Sequence, residues 1–207
     1  PKVNKMHSKK DRHYYWVVIP QMYLATSLAL VKKICPSREL KLGTEIESLC
    51  RELGFSSHPN YEFIWPIVFS LKHGVEVWLK GLGNMDHGQY ETIHDLKVLF
   101  EKLKSNSGQN KKVIENLYQE VWPIVEKYYY GTYNPNYKDR THPDTENMAE
   151  RYPETFGGSY SLQDPAEWVD RGVLDSIAAD IGSIIKSFSE AEHQINPQVI
   201  FNYENNL

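Results

Sequence analysis

The chain has 207 residues and a formal net charge of −4, from 23 Lys and Arg against 27 Asp and Glu. This length suits a single domain, residues 1–207, with a substantial hydrophobic core. The mildly acidic balance argues against a basic coat for nucleic acid or for an anionic membrane surface. Cys35 and Cys50 lack the spacing of metal ligands, so we expect them to stay reduced in a cytoplasmic protein.

The chain begins with a lysine-rich segment, residues 1–11, which we expect to be a flexible arm. The pattern then predicts a helix over residues 12–34, bent at Pro20. Its part from 14 to 31 is uncharged and flanked by basic residues, as in a membrane span. Because Pro20 and Gln21 interrupt that stretch and no second span follows, we favour a buried helix and no membrane contact.

The organising element of the chain is a predicted helix over residues 63–82. A short helix over residues 44–53 precedes it, with Thr44 and Glu47 as a capping box and Gly54 at its end. Helical spacing in the central helix places the following residues on one apolar face: Ile64, Ile67, Val68, Leu71, Val75, Trp78, Leu79 and Leu82.

A polar stripe lies on the opposite side of this central helix. His73, Glu76 and Lys80 follow each other at three and four residues, so Glu76 can accept from both of the others. Trp65 and Phe69 project near the same side, which is unusual for a solvated surface. Two interpretations stay open: an ordinary surface ion pair with a satisfied histidine, or a partly buried network that lines a groove or a dimer interface.

Three glycines between residues 81 and 91 predict a gap after the central helix. The next helix should start at His94-Asp95, with Thr92 or Asp95 as its cap, and present an apolar side. After a turn at 105–110, a helix over 111–130 is predicted to be kinked or split at Pro123. The apolar side of the helix that starts at His94-Asp95 contains Leu96, Leu99, Phe100 and Leu103.

Residues 131–161 lose all periodicity and predict an irregular, Tyr-rich insertion. The last helix should begin at Asp164-Pro165, an N-cap followed by an N1 proline, and end near His193. No strand-like alternation of useful length occurs in the sequence. The predicted fold class is therefore an all-α bundle with a Tyr-rich insertion before its last long helix.

The central helix and the helix start after it resemble those of HEPN-superfamily helical domains. Many of these contain an Arg-His-x-x-Glu-x-x-Leu-Lys helix followed by a Gly/Thr-His-Asp/Asn-Leu helix start. The matching segments here are Lys72-His73-Gly74-Val75-Glu76-Val77-Trp78-Leu79-Lys80 and Ile93-His94-Asp95-Leu96. Lys72 stands where an arginine is common.

The resemblance implies an HEPN-like cytoplasmic protein that binds or cleaves RNA or a nucleotide, in bacterial defence or a toxin system. It also implies a homodimer that brings two polar stripes together, without a metal or another cofactor. We expect His73, Glu76 and Lys80 to be the catalytic residues of a metal-independent ribonuclease. The expected substrate-binding residues are Lys72, His94, Arg140 and Arg151, the arginines lying in or near the Tyr-rich segment.

Two alternatives remain open at this point. HEPN ribonucleases use an arginine and a histidine four to six residues apart, and the match here is Arg51 with His58, in a predicted loop. A non-catalytic binding or regulatory module is therefore the first alternative. The second is an HD-type phosphohydrolase, in which His73, His94-Asp95 and a later aspartate would bind a divalent metal. Candidates for that aspartate are Asp170, Asp175 and Asp180.

Overall fold

A computed structural model describes residues 9–34, 52, 64–88, 91–129 and 173–197. These residues form five α-helices and no strand, which confirms the all-α prediction for this part of the chain. The helices are α1 (Lys9–Ile34), α2 (Ile64–His87), α3 (Leu96–Asn106), α4 (Lys111–Tyr129) and α5 (Val173–Ile195), with a 3-10 turn at Gly108–Asn110. The predictions for the cysteines and the 131–161 insertion lie outside the described residues, and so does the 44–53 helix apart from residue 52.

The first helix begins at Lys9, inside the predicted arm, and continues without interruption across Pro20. No helix in the described ranges has the length and apolarity needed to cross a membrane. The uncharged stretch of α1 packs against α2, and the Ser27 hydroxyl donates to the Ile67 carbonyl oxygen at 2.7 Å. The preference for a buried helix is therefore confirmed at this position.

Helix α2 is the centre of the bundle, because it contacts each of the other four described helices. Its predicted apolar face is confirmed at every described position. The buried residues are Ile67, Val68, Leu71, Val75, Trp78, Leu79 and Leu82. Their burial follows from the helical period, which turns all of them toward neighbouring helices.

The predicted gap after residue 81 is wrong. Helix α2 continues through Gly81 and Gly83 to His87, and Gly88 then ends it in the left-handed region at φ 75°. Gly81 serves close packing: a Cβ there would lie 2.9 Å from the backbone oxygen of Trp16 in α1. A glycine that allows two helices to approach has the same sequence signature as one that breaks a helix.

This packing predicts opposite effects for two glycine-to-alanine changes. Gly81→Ala should lower the free energy of unfolding by about 1–2 kcal/mol, because overpacking against a backbone atom outweighs the gain in helix propensity. Gly182→Ala in α5 should instead raise it by about 0.5–1 kcal/mol, because a Cβ there meets nothing within 4 Å. Urea unfolding measures both, and two stabilising changes would show that α1 does not lie against Gly81.

The apolar side of α3 agrees with the predicted spacing, and α5 has a buried side at similar spacing. The buried residues are Leu96, Leu99, Phe100 and Leu103 in α3, and Ile177, Ile181, Ile184 and Phe188 in α5. Of the two outcomes predicted at Pro123, a kink or a split, the split is wrong, since α4 runs unbroken from Lys111 to Tyr129. Pro123 and Gln119 are both exposed, so water can reach the carbonyl that lacks an amide partner.

Candidate functional site

Glu76 lies at the centre of a group of polar side chains on α2. Its side chain is only 2% exposed, although it faces away from the main apolar stripe. A carboxylate removed from water in this way needs charged or hydrogen-bonding partners. The structure supplies these partners from α2 itself and from the residues that precede α3.

Three side chains reach the two oxygens of Glu76. Lys80 Nζ donates to Oε1 at 2.8 Å, and His94 Nδ1 lies 2.9 Å from the same oxygen. His73 Nδ1 lies 3.6 Å from Oε2, a separation for an electrostatic contact when the ring is protonated. We call His73, Glu76, Lys80 and His94 the Glu76 cluster. The predicted polar stripe thus gains a member from outside its own helix.

Asp95 fixes the position of His94. Its carboxylate accepts from the backbone N–H of Val98 at 3.0 Å and so caps α3, as one of the two predicted caps. The residue before the cap then lies against α2 at the level of Glu76. Leu96 and Leu99 are buried in the core, so the first turn of α3 packs against it.

His73 lies between aromatic rings, as the aromatic neighbours of the stripe suggested. Its imidazole stacks on Phe69 with ring centroids 5.5 Å apart and meets the edge of Tyr23 at 4.7 Å. Tyr23 belongs to α1, so the cluster contacts a third segment of the chain. These contacts restrict the rotation of the ring beside Glu76.

The members of the cluster differ in their access to solvent. The side chain of His94 is 48% exposed, that of His73 21% and that of Lys80 10%. Lys72, expected to bind substrate, is only 1% exposed, so we leave it out of the candidate surface. Arg140, Arg151, Arg51 and His58 lie outside the described residues. His94 is therefore the cluster member that a ligand would reach first.

The chemistry of this arrangement depends on His94. A carboxylate can only accept hydrogen bonds, so an ionised Glu76 requires the proton on Nδ1 of a neutral His94. That tautomer leaves Nε2 as the proton-accepting nitrogen of the ring. Lys80 adds a fixed positive charge within the same cluster. A hydroxyl group of a ligand bound next to His94 could therefore lose its proton to Nε2, close to the ammonium group of Lys80.

The residues proposed for a metal site have other contacts. Asp95 caps α3, and Asp180 accepts from Lys127 Nζ at 3.0 Å and from the Tyr128 hydroxyl at 2.7 Å. Asp170 is outside the described residues, as is the side chain of Asp175. Among the residues that the structure describes, no three His, Cys, Asp or Glu side chains are grouped as metal ligands. The HD-type hypothesis thus has no ligand set in this part of the chain.

A small depression between α2 and α3 adjoins the cluster through Lys80. It admits about 10 Å³, room for about one water molecule. Glu91 and Lys102 form an ion pair of 3.0 Å at its wall. The lining residues are Leu79, Lys80, Gly83, His87, Glu91, Leu99, Lys102, Leu103 and Asn106.

Glu192 is a buried acid that is not among the residues predicted from the sequence. It is 5% exposed and accepts a hydrogen bond from Trp78 Nε1, whose ring stacks on Phe188. Burial raises the pKa of the Glu192 carboxyl to about 8, and the Trp78 hydrogen bond opposes this in part. A signal was present, because Glu192 continues the buried spacing of Ile181, Ile184 and Phe188 by one more turn.

Comparisons with known proteins find no family model, curated protein or solved structure that matches the chain. The Glu76 cluster and the resemblance in the two quoted segments are therefore the features that bear on function.

Proposed function

We propose that the chain is an HEPN-like protein that binds RNA at the Glu76 cluster and cleaves it without a metal. The observation that supports this most is the convergence of two histidines and a lysine on one buried carboxylate. General acid–base cleavage of RNA needs such groups at fixed positions. A role in bacterial defence or a toxin system follows from the resemblance alone and belongs to the same proposal. So does a homodimer, which the two faces of the central helix also favour.

The proposed reaction is attack by the ribose 2′-hydroxyl on the adjacent phosphorus. His94 Nε2 accepts the hydroxyl proton while the new O2′–P bond forms. The bond from phosphorus to the 5′-oxygen breaks, and a protonated His73 donates a proton to that leaving oxygen. Lys80 stabilises the negative charge of the phosphorane. Glu76 is a positioning residue here, since it orients both imidazoles and the ammonium group.

The experiment is incubation of the purified protein with mixed single-stranded RNAs, with and without EDTA. Wild-type protein should cleave RNA equally in both conditions. His94→Gln should reduce cleavage by about 100-fold or more, because it removes the general base. His193→Gln is the matched control, since His193 is an exposed histidine on α5, remote in sequence from the cluster. Both variants should keep the wild-type melting temperature.

Two results would contradict the proposed activity. Cleavage that EDTA abolishes would favour a metal-dependent phosphohydrolase. Cleavage that persists in His94→Gln at the level of His193→Gln would exclude the Glu76 cluster as its source.

The second candidate function is a non-catalytic binding or regulatory module. One observation favours it: the depression beside Lys80 has room for about one water, which is too small to enclose a substrate. RNA binding without cleavage by the wild-type protein would support this candidate. In that case His94→Gln should weaken binding, whereas His193→Gln should not.

A further inference from the structure

The depression between α2 and α3 has an unusual lining. Two ammonium groups, Lys80 and Lys102, stand at its wall together with His87 and the amide of Asn106. Among the described lining residues Glu91 is the only acidic one, and its Oε2 lies 3.0 Å from Lys102 Nζ. A concave surface with several donors and one carboxylate resembles an anion site in which a side chain substitutes for the ligand.

We propose that a phosphate group binds in this depression, where it contacts Lys80 and displaces the Glu91 carboxylate from Lys102. The ligand class is a phosphate ester or a terminal phosphate, such as that of an RNA strand or a nucleotide. Lysine ammonium groups bind phosphate as point charges, and the amide and imidazole add directional donors. Glu91 therefore competes with the ligand for Lys102.

The two ion pairs at the depression show which carboxylate a ligand can displace. Lys80 is paired with Glu76, and Lys102 is paired with Glu91. The first pair is almost fully buried, whereas Lys102 and Glu91 are both partly exposed, with 43% and 31% of their side chains accessible. An exposed ion pair contributes little to stability, so exchange of Glu91 for a dianionic phosphate costs little.

Size explains why Glu91 must move. The present depression has room for about one water, which is too small for a phosphate group. The Glu91 side chain forms part of the wall, so a phosphate group that enters must displace it. Gly83 lies in the lining without a side chain and so permits close approach to α2.

This site deepens the proposed function, because Lys80 belongs both to the depression and to the Glu76 cluster. A phosphate here would lie next to the groups proposed to act on the neighbouring linkage. Phosphate binding at the depression can nevertheless be tested without RNA.

The test is isothermal titration of the full chain with inorganic phosphate and with pyrophosphate. Glu91→Gln should bind either anion at least about fivefold more tightly than wild type, because the competing carboxylate is removed. Glu101→Gln is the matched control: it removes the same charge from exposed α3 surface, where Glu101 lies 4.0 Å from Lys104. It should change the affinity less than about twofold. Lys102→Met should abolish the gain when combined with Glu91→Gln.

Equal gains in Glu91→Gln and Glu101→Gln would overturn the inference, since the effect would then reflect overall charge. Failure of Glu91→Gln to bind either anion would also overturn it, provided that circular dichroism shows the wild-type fold. The expected phosphate pattern in a protein that binds no RNA would support this site and refute the proposed function. RNA cleavage that depends on His94, without the phosphate pattern, would do the reverse.

Discussion

Glu192→Gln is expected to remove a loss of about 2–4 kcal/mol in the free energy of unfolding that wild type undergoes between about pH 5 and pH 8. The Glu192 carboxyl is buried between α2 and α5, and burial raises its pKa from the ordinary 4.5 to about 8. Its hydrogen-bond donor in α2 is the neutral Trp78 indole. A glutamine oxygen can accept the same hydrogen bond without ever becoming charged.

The sign of the effect follows from proton binding. Between about pH 4.5 and pH 8 the folded protein keeps the Glu192 proton, whereas the unfolded chain loses it. The contribution of Glu192 to the free energy of unfolding is therefore fully present below the pKa of the unfolded chain. It falls as the pH rises, by at most about 1.4 kcal/mol per pH unit. We expect a total loss of about 2–4 kcal/mol over the window, and no further loss above the folded pKa.

Urea unfolding at three pH values across this window measures the effect. Wild-type stability should fall with pH relative to Glu192→Gln, and the variant should be the more stable protein near pH 8. Glu190→Gln is the control, because Glu190 is exposed on the same helix and lies 3.9 Å from Lys186. Parallel pH profiles for wild type and Glu192→Gln would show that the carboxyl is not buried in the folded protein.

Glu76→Ala is expected to cause the second large loss, about 2–4 kcal/mol in the free energy of unfolding. The change removes the acceptor of Lys80 and leaves that ammonium group, 10% exposed, without its partner at 2.8 Å. It also removes the acceptor that orients His94. Leaving a buried charge uncompensated is among the costliest single substitutions.

The control for this change is Glu101→Ala. Glu101 is an exposed carboxylate 4.0 Å from Lys104, so its removal should change stability by less than about 0.5 kcal/mol. Urea midpoints with unchanged m-values report both variants. Equal effects at the two positions would mean that Glu76 is hydrated in solution, and the Glu76 cluster would lose its structural basis.

Local periodicity predicted the parts of the fold that depend on a single helix. The apolar face of α2, the stripe of His73, Glu76 and Lys80, and the start of α3 at Asp95 all follow from spacing of a few residues. Each of these features depends only on the helical period and on capping chemistry.

Features that need a second segment were harder to predict. The role of Gly81 depends on the backbone of Trp16, which is distant in sequence. Local sequence around Gly81 therefore predicts a helix break at a position where the helix continues. The contact between Glu76 and His94 joins residues 18 apart, and only the packing of α3 on α2 brings them together. Glu192 is the exception, since its place in the apolar period of α5 was visible in the sequence.

The most direct test of the central claim is histidine NMR on protein labelled with ¹³C in its imidazole rings. Titration with a short single-stranded RNA should shift the signals of His73 and His94 along one binding curve. The signal of His193, exposed on α5, should stay in place, with all three assigned from His→Gln variants. Shifts at His193 without shifts at His73 and His94 would contradict the claim that RNA binds at the Glu76 cluster.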